Sequence, residues 1–265
     1  MKTVIIIPAR YASTRYPGKP LVELTLPDGT RQSLIELSWR AAKRVSGVDA
    51  IYVATDDDRI ADAARGFGAD VIMTSLSCRN GTERCAEAVQ NAGLDADLIV
   101  NLQGDAPLTP HWFVEDLIAA MKSDTTADMA TPVLRLDRLT YGHFTTDRKN
   151  GRVGGTTAVF DKNHHAIYFS KEVVPFMDIA KWPDDEPLPV YHHVGVYAYT
   201  PQGLAHYMSW PESTLEQLEG LEQLRFLANG HTVKCVEVDG RGRVFWELNN
   251  PEDVTRIESV IGETL

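Results

Sequence analysis

Three cations, Arg10, Arg15 and Lys19, crowd into the stretch from Pro8 to Pro20, which contains no acid although the chain as a whole carries a net charge of −11. Pro17, Gly18 and Pro20 exclude a regular helix there, so the stretch is a loop following the apolar run Val4 to Ile7. Clustered cations at a strand end suit a polyphosphate or carboxylate. The residues alone leave two readings open, a solvated surface loop or an anion-binding loop. Neither G-x-x-x-x-G-K-[ST] nor G-x-G-x-x-G follows the strand, which argues against a P-loop NTPase and a dinucleotide dehydrogenase.

Other stretches have chemical potential. Asn80-Gly81-Thr82-Glu83-Arg84 precedes a helical pattern running to Asn91, placing Gly81 and Thr82 where helix N–H groups are unpaired and can meet an anion or simply a cap. Gln103-Gly104-Asp105 follows the apolar run Asp97 to Leu102, and an acid at the carboxyl end of a parallel strand sits where open α/β sheets keep their ligands. Glu222 and Arg225 fall among leucines and need a ligand or each other. His192 and His193 are neighbours on an extended run, so they face opposite ways and do not suit joint metal ligation. His164 and His165 read as solvent-facing.

The elements that must position these residues follow from periodicity. Four strand-loop-helix units fill the first 120 residues, with strands at Val4 to Ile7, Ala50 to Thr55, Val71 to Met73 and Asp97 to Leu102. This order implies an α/β fold with a mostly parallel sheet and helices on both faces. Ser33-Leu34-Ile35-Glu36 reads as a reciprocal capping box opening the first helix, with Gly47 ending it. The second half changes character. Ala130 to Leu134, Arg152 to Phe160 and Val194 to Thr200 are β-rich and suggest a smaller lobe inserted at about residues 132–210 of a single domain. Ser213 opens a helix whose Leu215, Leu218, Leu221, Leu224 and Leu227 recur every third residue and therefore wind around it, so it is expected to be covered on more than one side. Arg243 to Leu248 reads as the last strand, before a final helix with Val254, Ile257 and Ile261 inside.

Composition narrows the class. With 265 residues and 43% hydrophobic content the chain is long enough for a large core. Its 37 acids against 26 bases speak against nucleic-acid binding. Met-Lys-Thr, four apolar residues and a proline make too short a start for a secretory signal, and no run reaches the roughly 20 apolar residues of a membrane span, so no membrane association and a cytoplasmic location are expected. Cys78, Cys85 and Cys235 form no C-x-x-C pair and read as packing residues.

Taken in order, Pro8-Ala9-Arg10 through Leu21, Gly81-Thr82-Glu83-Arg84, Gln103-Gly104-Asp105, Tyr168-Phe169-Ser170, His193 through Tyr199, Leu221 through Arg225 and Pro251-Glu252-Asp253 resemble the CMP-Kdo synthetases, the 3-deoxy-manno-octulosonate cytidylyltransferases. The resemblance spans about residues 3 to 260 and implies a Rossmann-like nucleotidyltransferase fold, a homodimer, and a transferase reaction in which an acidic 3-deoxy sugar attacks the α-phosphate of CTP and releases pyrophosphate. By the same resemblance, Arg10, Arg15 and Lys19 would be catalytic with Mg²⁺, and Ala9, Ser13, Gly81, Thr82, Arg84 and Gln103 would join them on the nucleotide. Gln103, His193, Gly195, Tyr197, Glu222 and Gln223 would contact the sugar, and Asp105 and Asn249 occupy the metal positions. The chain departs from the family at Ala106 and Asn249, where acids are usual, and at Thr146 to Thr157, which replaces an Asp-Pro-x-x-Val-Lys segment. Glu247, on the same strand face as Asn249, is an alternative source of charge. A different acidic sugar, or a non-catalytic binding homologue, are the alternatives these departures raise, and the pathway, lipopolysaccharide or capsule, stays open.

Overall fold

In the computed structural model the described residues are 1–12, 16–153, 155–243, 248, 251 and 253–264, with backbone only at 263 and 264. The expected strand at Arg243 to Leu248 lies mostly outside them, as do Ser13, Arg15, Glu247 and Asn249. The chain begins with β1 (Thr3–Ala9), a 3-10 turn at Lys19–Leu21, the hairpin β2 (Glu23–Thr25) and β3 (Arg31–Ser33), and α1 (Leu34–Ala42). Then come β4 (Ala50–Thr55), α2 (Asp58–Gly66), β5 (Asp70–Met73), α3 (Gly81–Asn91), β6 (Leu98–Leu102), α4 (His111–Ser123) and β7 (Met129–Arg135). The second half adds α5 (Arg138–Lys149), β8 (Thr157–Phe160), β9 (Ala166–Ser170), β10 (Tyr191–His193), β11 (Val196–Tyr199) and α6 (Pro201–Ser209). It ends with α7 (Thr214–Glu219), α8 (Leu224–Ala228), β12 (Val233–Glu237) and α9 (Asp253–Thr264).

One sheet of ten strands runs in the order β5-β4-β1-β6-β11-β7-β10-β8-β9, with β12 on the other edge of β7. β1 pairs in parallel with β4 and β6, as the repeated strand-loop-helix units require. All residues of β1 and β6 are buried, which explains their almost wholly apolar character, broken by Thr3 and Asn101. Ile5 and Ile7 pack on one face with Ile35 of α1, Ile60 of α2 and Phe113 of α4. Val4 and Ile6 pack on the other with Cys85 of α3, Leu204 of α6 and Phe226 of α8. The sheet is thus covered on both sides, and the three cysteines are buried packing residues.

β10 and β11 are two halves of one bent strand. Before the bend His192 lies opposite Leu134, and after it Ala198 lies opposite Ala130, so the register against β7 shifts at Val194 and Gly195. The first half pairs with β8 and the second with β6, so residues from late in the chain sit in the middle of the sheet.

Several local expectations change. α1 stops at Ala42, well before Gly47, and the Ser33 cap is one-sided: Ser33 Oγ accepts from the Glu36 N–H at 3.4 Å, while the Glu36 carboxylate pairs with Arg40 at 2.9 Å. The leucine-rich helix is two short helices separated by Gly220, whose φ of 63° ends α7. Because the helix breaks, Leu218 is 79% exposed whereas Leu224 is fully buried, and the expected wrap of partners around one continuous helix does not form. The reciprocal capping box is found at α7 instead, between Ser213 and Glu216. α5 and α6 were not anticipated from periodicity. His164 and His165 are half-buried: the His164 ring stacks on Phe160, and His165 Nε2 lies 3.2 Å from Asp124. The β2–β3 hairpin packs with α9 around Leu24, Leu34, Leu248, Ile257 and Ile261, matching the expected inner face of the last helix.

Candidate active site

The carboxyl ends of β1 and β6 lie side by side and open into the basic loop and Gln103-Gly104-Asp105 respectively. Their turns approach so closely that a Cβ at Gly104 would stand 2.8 Å from the Pro8 carbonyl oxygen, which restricts the position to glycine. Ser38 Oγ of α1 donates to the Gly104 carbonyl at 3.1 Å and holds this turn in place. The basic loop closes through the Gly18 N–H bonded to the Tyr11 carbonyl at 2.9 Å, which delivers Lys19 to the cleft. Lys19 Nζ then lies 2.5 Å from Asp105 Oδ2, with both side chains partly open to solvent.

The amino end of α3 forms the opposite wall. Asn80 caps it by accepting from the Glu83 N–H at 2.8 Å, leaving Gly81 at the rim. Asn80, Gly81 and Arg84 join Ala9, Arg10, Lys19, Gln103 and Asp105 around a cleft of ≈ 240 Å³. Of the expected nucleotide residues, Ala9, Arg10, Lys19, Gly81, Arg84 and Gln103 therefore converge. Arg84 is buried with Asp56 as its ion-pair partner at 3.1 Å, so much of its charge is already matched. Arg10 remains exposed, its Nη1 3.5 Å from the Arg79 carbonyl. Thr82 departs from expectation: its N–H is donated to Glu222 Oε2 at 3.1 Å, and its hydroxyl meets the Tyr199 hydroxyl at 2.6 Å.

That bond joins the cleft to a second group of polar side chains. Burial raises the pKa of the Glu222 carboxyl, partly opposed by the hydrogen bonds from Thr82. The Tyr197 hydroxyl donates to Gln223 Oε1 at 3.4 Å, and Tyr197 stands opposite Asn101 across the β6–β11 pairing. A Cβ on Gly81 would come within 3.0 Å of Asn101 Nδ2 and 3.1 Å of Gln103 Nε2, which places both amides against the amino end of α3. Among the described residues, both polar side-chain atoms of Asn101 and the Gln223 Nε2 are buried without a hydrogen-bond partner. Unmatched buried amides are costly unless a ligand completes them.

His193 is buried and its Nε2 lies 2.9 Å from Thr131 Oγ1. Thr131 Oγ1 also contacts the Val194 and Val196 carbonyls, so its single proton is committed there and His193 Nε2 is the donor. Burial lowers the His193 pKa to about 3, so the ring is neutral at pH 7. It stands 5.7 Å from the Tyr197 ring, behind the cleft wall, and His192 turns the other way against Phe144. Gly195 lies at the bend between β10 and β11.

Glu222 and Arg225, expected to need a ligand or each other, do not pair. Arg225 instead makes two hydrogen bonds to Glu216, at 2.7 and 2.6 Å, and lies 3.6 Å from Glu83, because the break at Gly220 folds α7 back beside α8. Glu83 is in turn bonded to Arg79 at 2.6 Å, and these bonds outweigh burial and lower its pKa. The ion-pair roles of Glu216, Glu83 and Asp56, and the position of Asn101, were missed. Only Asn101 had a visible signal, as a polar residue inside the apolar run Leu98–Leu102, two positions before Gln103 and so on the same strand face.

Asp105 is the described carboxylate at the cleft, and Ala106 beside it is buried and uncharged. One carboxylate next to open volume suits Mg²⁺, which commonly binds through one or two carboxylates, substrate phosphates and water. No helix among the described residues is long and apolar enough to cross a membrane.

Comparison with known proteins agrees with this arrangement. A family model described as cytidylyltransferase matches residues 4–235. The 3-deoxy-manno-octulosonate cytidylyltransferase of Maricaulis maris (strain MCS10) is 43% identical over 261 residues, covering 98% of this chain and 97% of that one. The 8-amino-3,8-dideoxy-manno-octulosonate cytidylyltransferase of Shewanella frigidimarina (strain NCIMB 400) is 37% identical, covering 97% and 98%. A solved structure of CMP:2-keto-3-deoxy-manno-octonic acid synthetase complexed with CTP superposes with a TM-score of 0.84 at 31% identity, covering 100% of both chains. On these grounds, the chain belongs to the 3-deoxy-manno-octulosonate cytidylyltransferase family.

Proposed function

We propose that this protein activates a 3-deoxy-octulosonate with CTP, giving the CMP-sugar and pyrophosphate. The observation that carries the reading is the cleft itself, where Lys19, Arg10 and the amino end of α3 face Gln103, Asp105 and the unmatched Asn101 amide. A sugar hydroxyl oxygen, losing its proton to solvent, forms a bond to the α-phosphorus as the bond from that phosphorus to the oxygen bridging the β-phosphate breaks. Negative charge then grows on the departing pyrophosphate. Such a transfer asks mainly for positioning and for cations aimed at that charge. Among the described residues Lys19 is the cation best placed, and Arg10 is exposed at the rim. In this reading Asp105 would hold Mg²⁺, which when bound supplies positive charge at the triphosphate. Asp105 also keeps Lys19 Nζ in the cleft at 2.5 Å until phosphate oxygens compete for it. Glu222, Gln223, Tyr197 and Asn101 would bind the sugar hydroxyls, with neutral His193 bracing Tyr197 from behind.

The aminated sugar acid named for the Shewanella relative is the second acceptor to test, since that relative matches this chain nearly end to end. A cytoplasmic homodimer completes the proposal and is supported by the family resemblance. The test is pyrophosphate release from CTP and Mg²⁺ with each 3-deoxy sugar acid in turn. Turnover with one of them is expected, and CTP binding without turnover on any acceptor would overturn the catalytic reading.

A further inference from the structure

Asp128, His206 and His231 bring three metal-binding side chains together far along the sheet from the cleft. Asp128 directly precedes β7, His206 lies on α6, and His231 stands two residues before β12. β7 runs parallel to β6, because both are antiparallel to β11 between them. Asp128 is therefore at the amino end of the parallel strands, opposite the carboxyl ends that form the nucleotide cleft.

Asp128 Oδ2 lies 2.9 Å from His231 Nδ1, and Oδ1 lies 3.9 Å from His206 Nδ1. The ligating atoms of the three residues all fall within 4.8 Å of one another, with each side chain half-buried. His206 Nδ1 is buried and, among the described residues, makes no hydrogen bond. A tetrahedral ion with bonds of about 2.0–2.2 Å spaces its ligands about 3.3–3.6 Å apart, close to the 2.9 and 3.9 Å that separate the two carboxylate oxygens from His231 Nδ1 and His206 Nδ1. The backbone is already fixed: the Asp128 N–H donates to the Thr232 carbonyl at 3.2 Å, and its carbonyl accepts from the Thr200 N–H at 3.0 Å. Trp210 walls the site, its ring 4.4 Å from that of His231. Gln202 Nε2 touches the outer nitrogen of His206 at 2.9 Å, and rotating that amide turns an oxygen toward it, the outer partner that orients a ligating imidazole.

We infer that Asp128, His206 and His231 form a binding site for a borderline divalent cation of the zinc class, distinct from the Asp105 position. Two imidazoles and one carboxylate select such an ion over Mg²⁺ or Ca²⁺, which take oxygen ligands. The ion ties α6, the start of β7 and the turn before β12 together, and water takes the remaining position. The cysteines do not compete, since all three are buried and burial pushes the Cys78 and Cys235 thiols up to about 11 and 12.

The test uses the full chain stripped with chelator, at pH 7.5 with millimolar Mg²⁺ present to fill the cleft. Calorimetric titration with Zn²⁺ is expected to give one ion per chain and to raise the melting temperature. His206→Gln and His231→Gln, each with the native circular dichroism spectrum, are expected to weaken binding at least tenfold, whereas Asp105→Asn leaves it unchanged. Co²⁺ is expected to give the visible absorption of a four-coordinate nitrogen and oxygen site. Failure to bind Zn²⁺ stoichiometrically, undiminished binding by both histidine variants, or loss of binding in Asp105→Asn would each overturn the assignment. None of these readouts depends on sugar activation.

Discussion

Replacing Arg225 with methionine should strand a buried negative charge. Arg225 is 1% exposed, grips Glu216 through two hydrogen bonds at 2.6 and 2.7 Å, and lies over the Tyr207 ring at 4.0 Å. Methionine keeps much of the apolar stem, so the change isolates the loss of the guanidinium. Glu83 retains Arg79, but Glu216, itself 4% exposed, loses its ion-pair partner. At a charge separation of about 4 Å and an effective dielectric near 20, the lost attraction is about 4 kcal/mol. Breaking one half of a buried pair typically costs about 3–5 kcal/mol, in agreement. For a chain of this size that corresponds to a fall of roughly 5–10 °C in melting temperature. Thermal and urea unfolding followed by circular dichroism at pH 7.5 measure it. The double variant Arg225→Met with Glu216→Leu removes both charges and should recover at least half of the loss. Because α7 and α8 flank Glu222 and Gln223, the single variant should also raise KM for the sugar more than KM for CTP. A loss below about 1 kcal/mol, or a double variant no more stable than the single one, would refute the reasoning.

Lys19→Ala should lower kcat by on the order of 10² or more, the usual effect of removing one group that stabilises developing charge; steady-state pyrophosphate release reads it, and an unchanged rate removes Lys19 from the mechanism. His193 gives a pH signature. Its folded pKa of about 3 lies below the ordinary 6.5, so between these values the unfolded chain takes up a proton that the folded chain refuses. Its contribution is present above pH 6.5 and lost as the pH falls, at up to about 1.4 kcal/mol per unit. Urea unfolding between pH 7 and 4.5 should therefore fall less steeply in His193→Asn, and identical slopes would contradict the assignment.

The parallel half of the sheet was legible because β1, β4 and β6 are apolar runs punctuated by loops, and burial on both faces leaves little else to encode. The cleft residues were legible as motifs, and Arg10, Lys19, Gly81, Gln103 and Asp105 do converge. Pair partners were not. Asp56 for Arg84 and Glu216 for Arg225 depend on where separate elements land, which no local spacing records. The leucine repeat misled because a spacing of three reads as one winding helix, whereas the left-handed Gly220 cuts it in two. α5 was hidden by its composition, since Tyr141 and Phe144 are its only buried residues.

The bent strand formed by β10 and β11 has a consequence for how the chain acquires its structure. β6 pairs with β1 on one side and with β11 on the other, so its second edge has no neighbour until Tyr199 has been synthesised. An all-buried apolar strand with an open edge is a template for wrong pairing. A ribosome-bound chain ending after α4 therefore carries the motifs proposed to hold the nucleotide and an unprotected strand. Expressed alone, the first half is expected to aggregate, because the second edge of β6 stays open until the stretch proposed to contact the sugar is made.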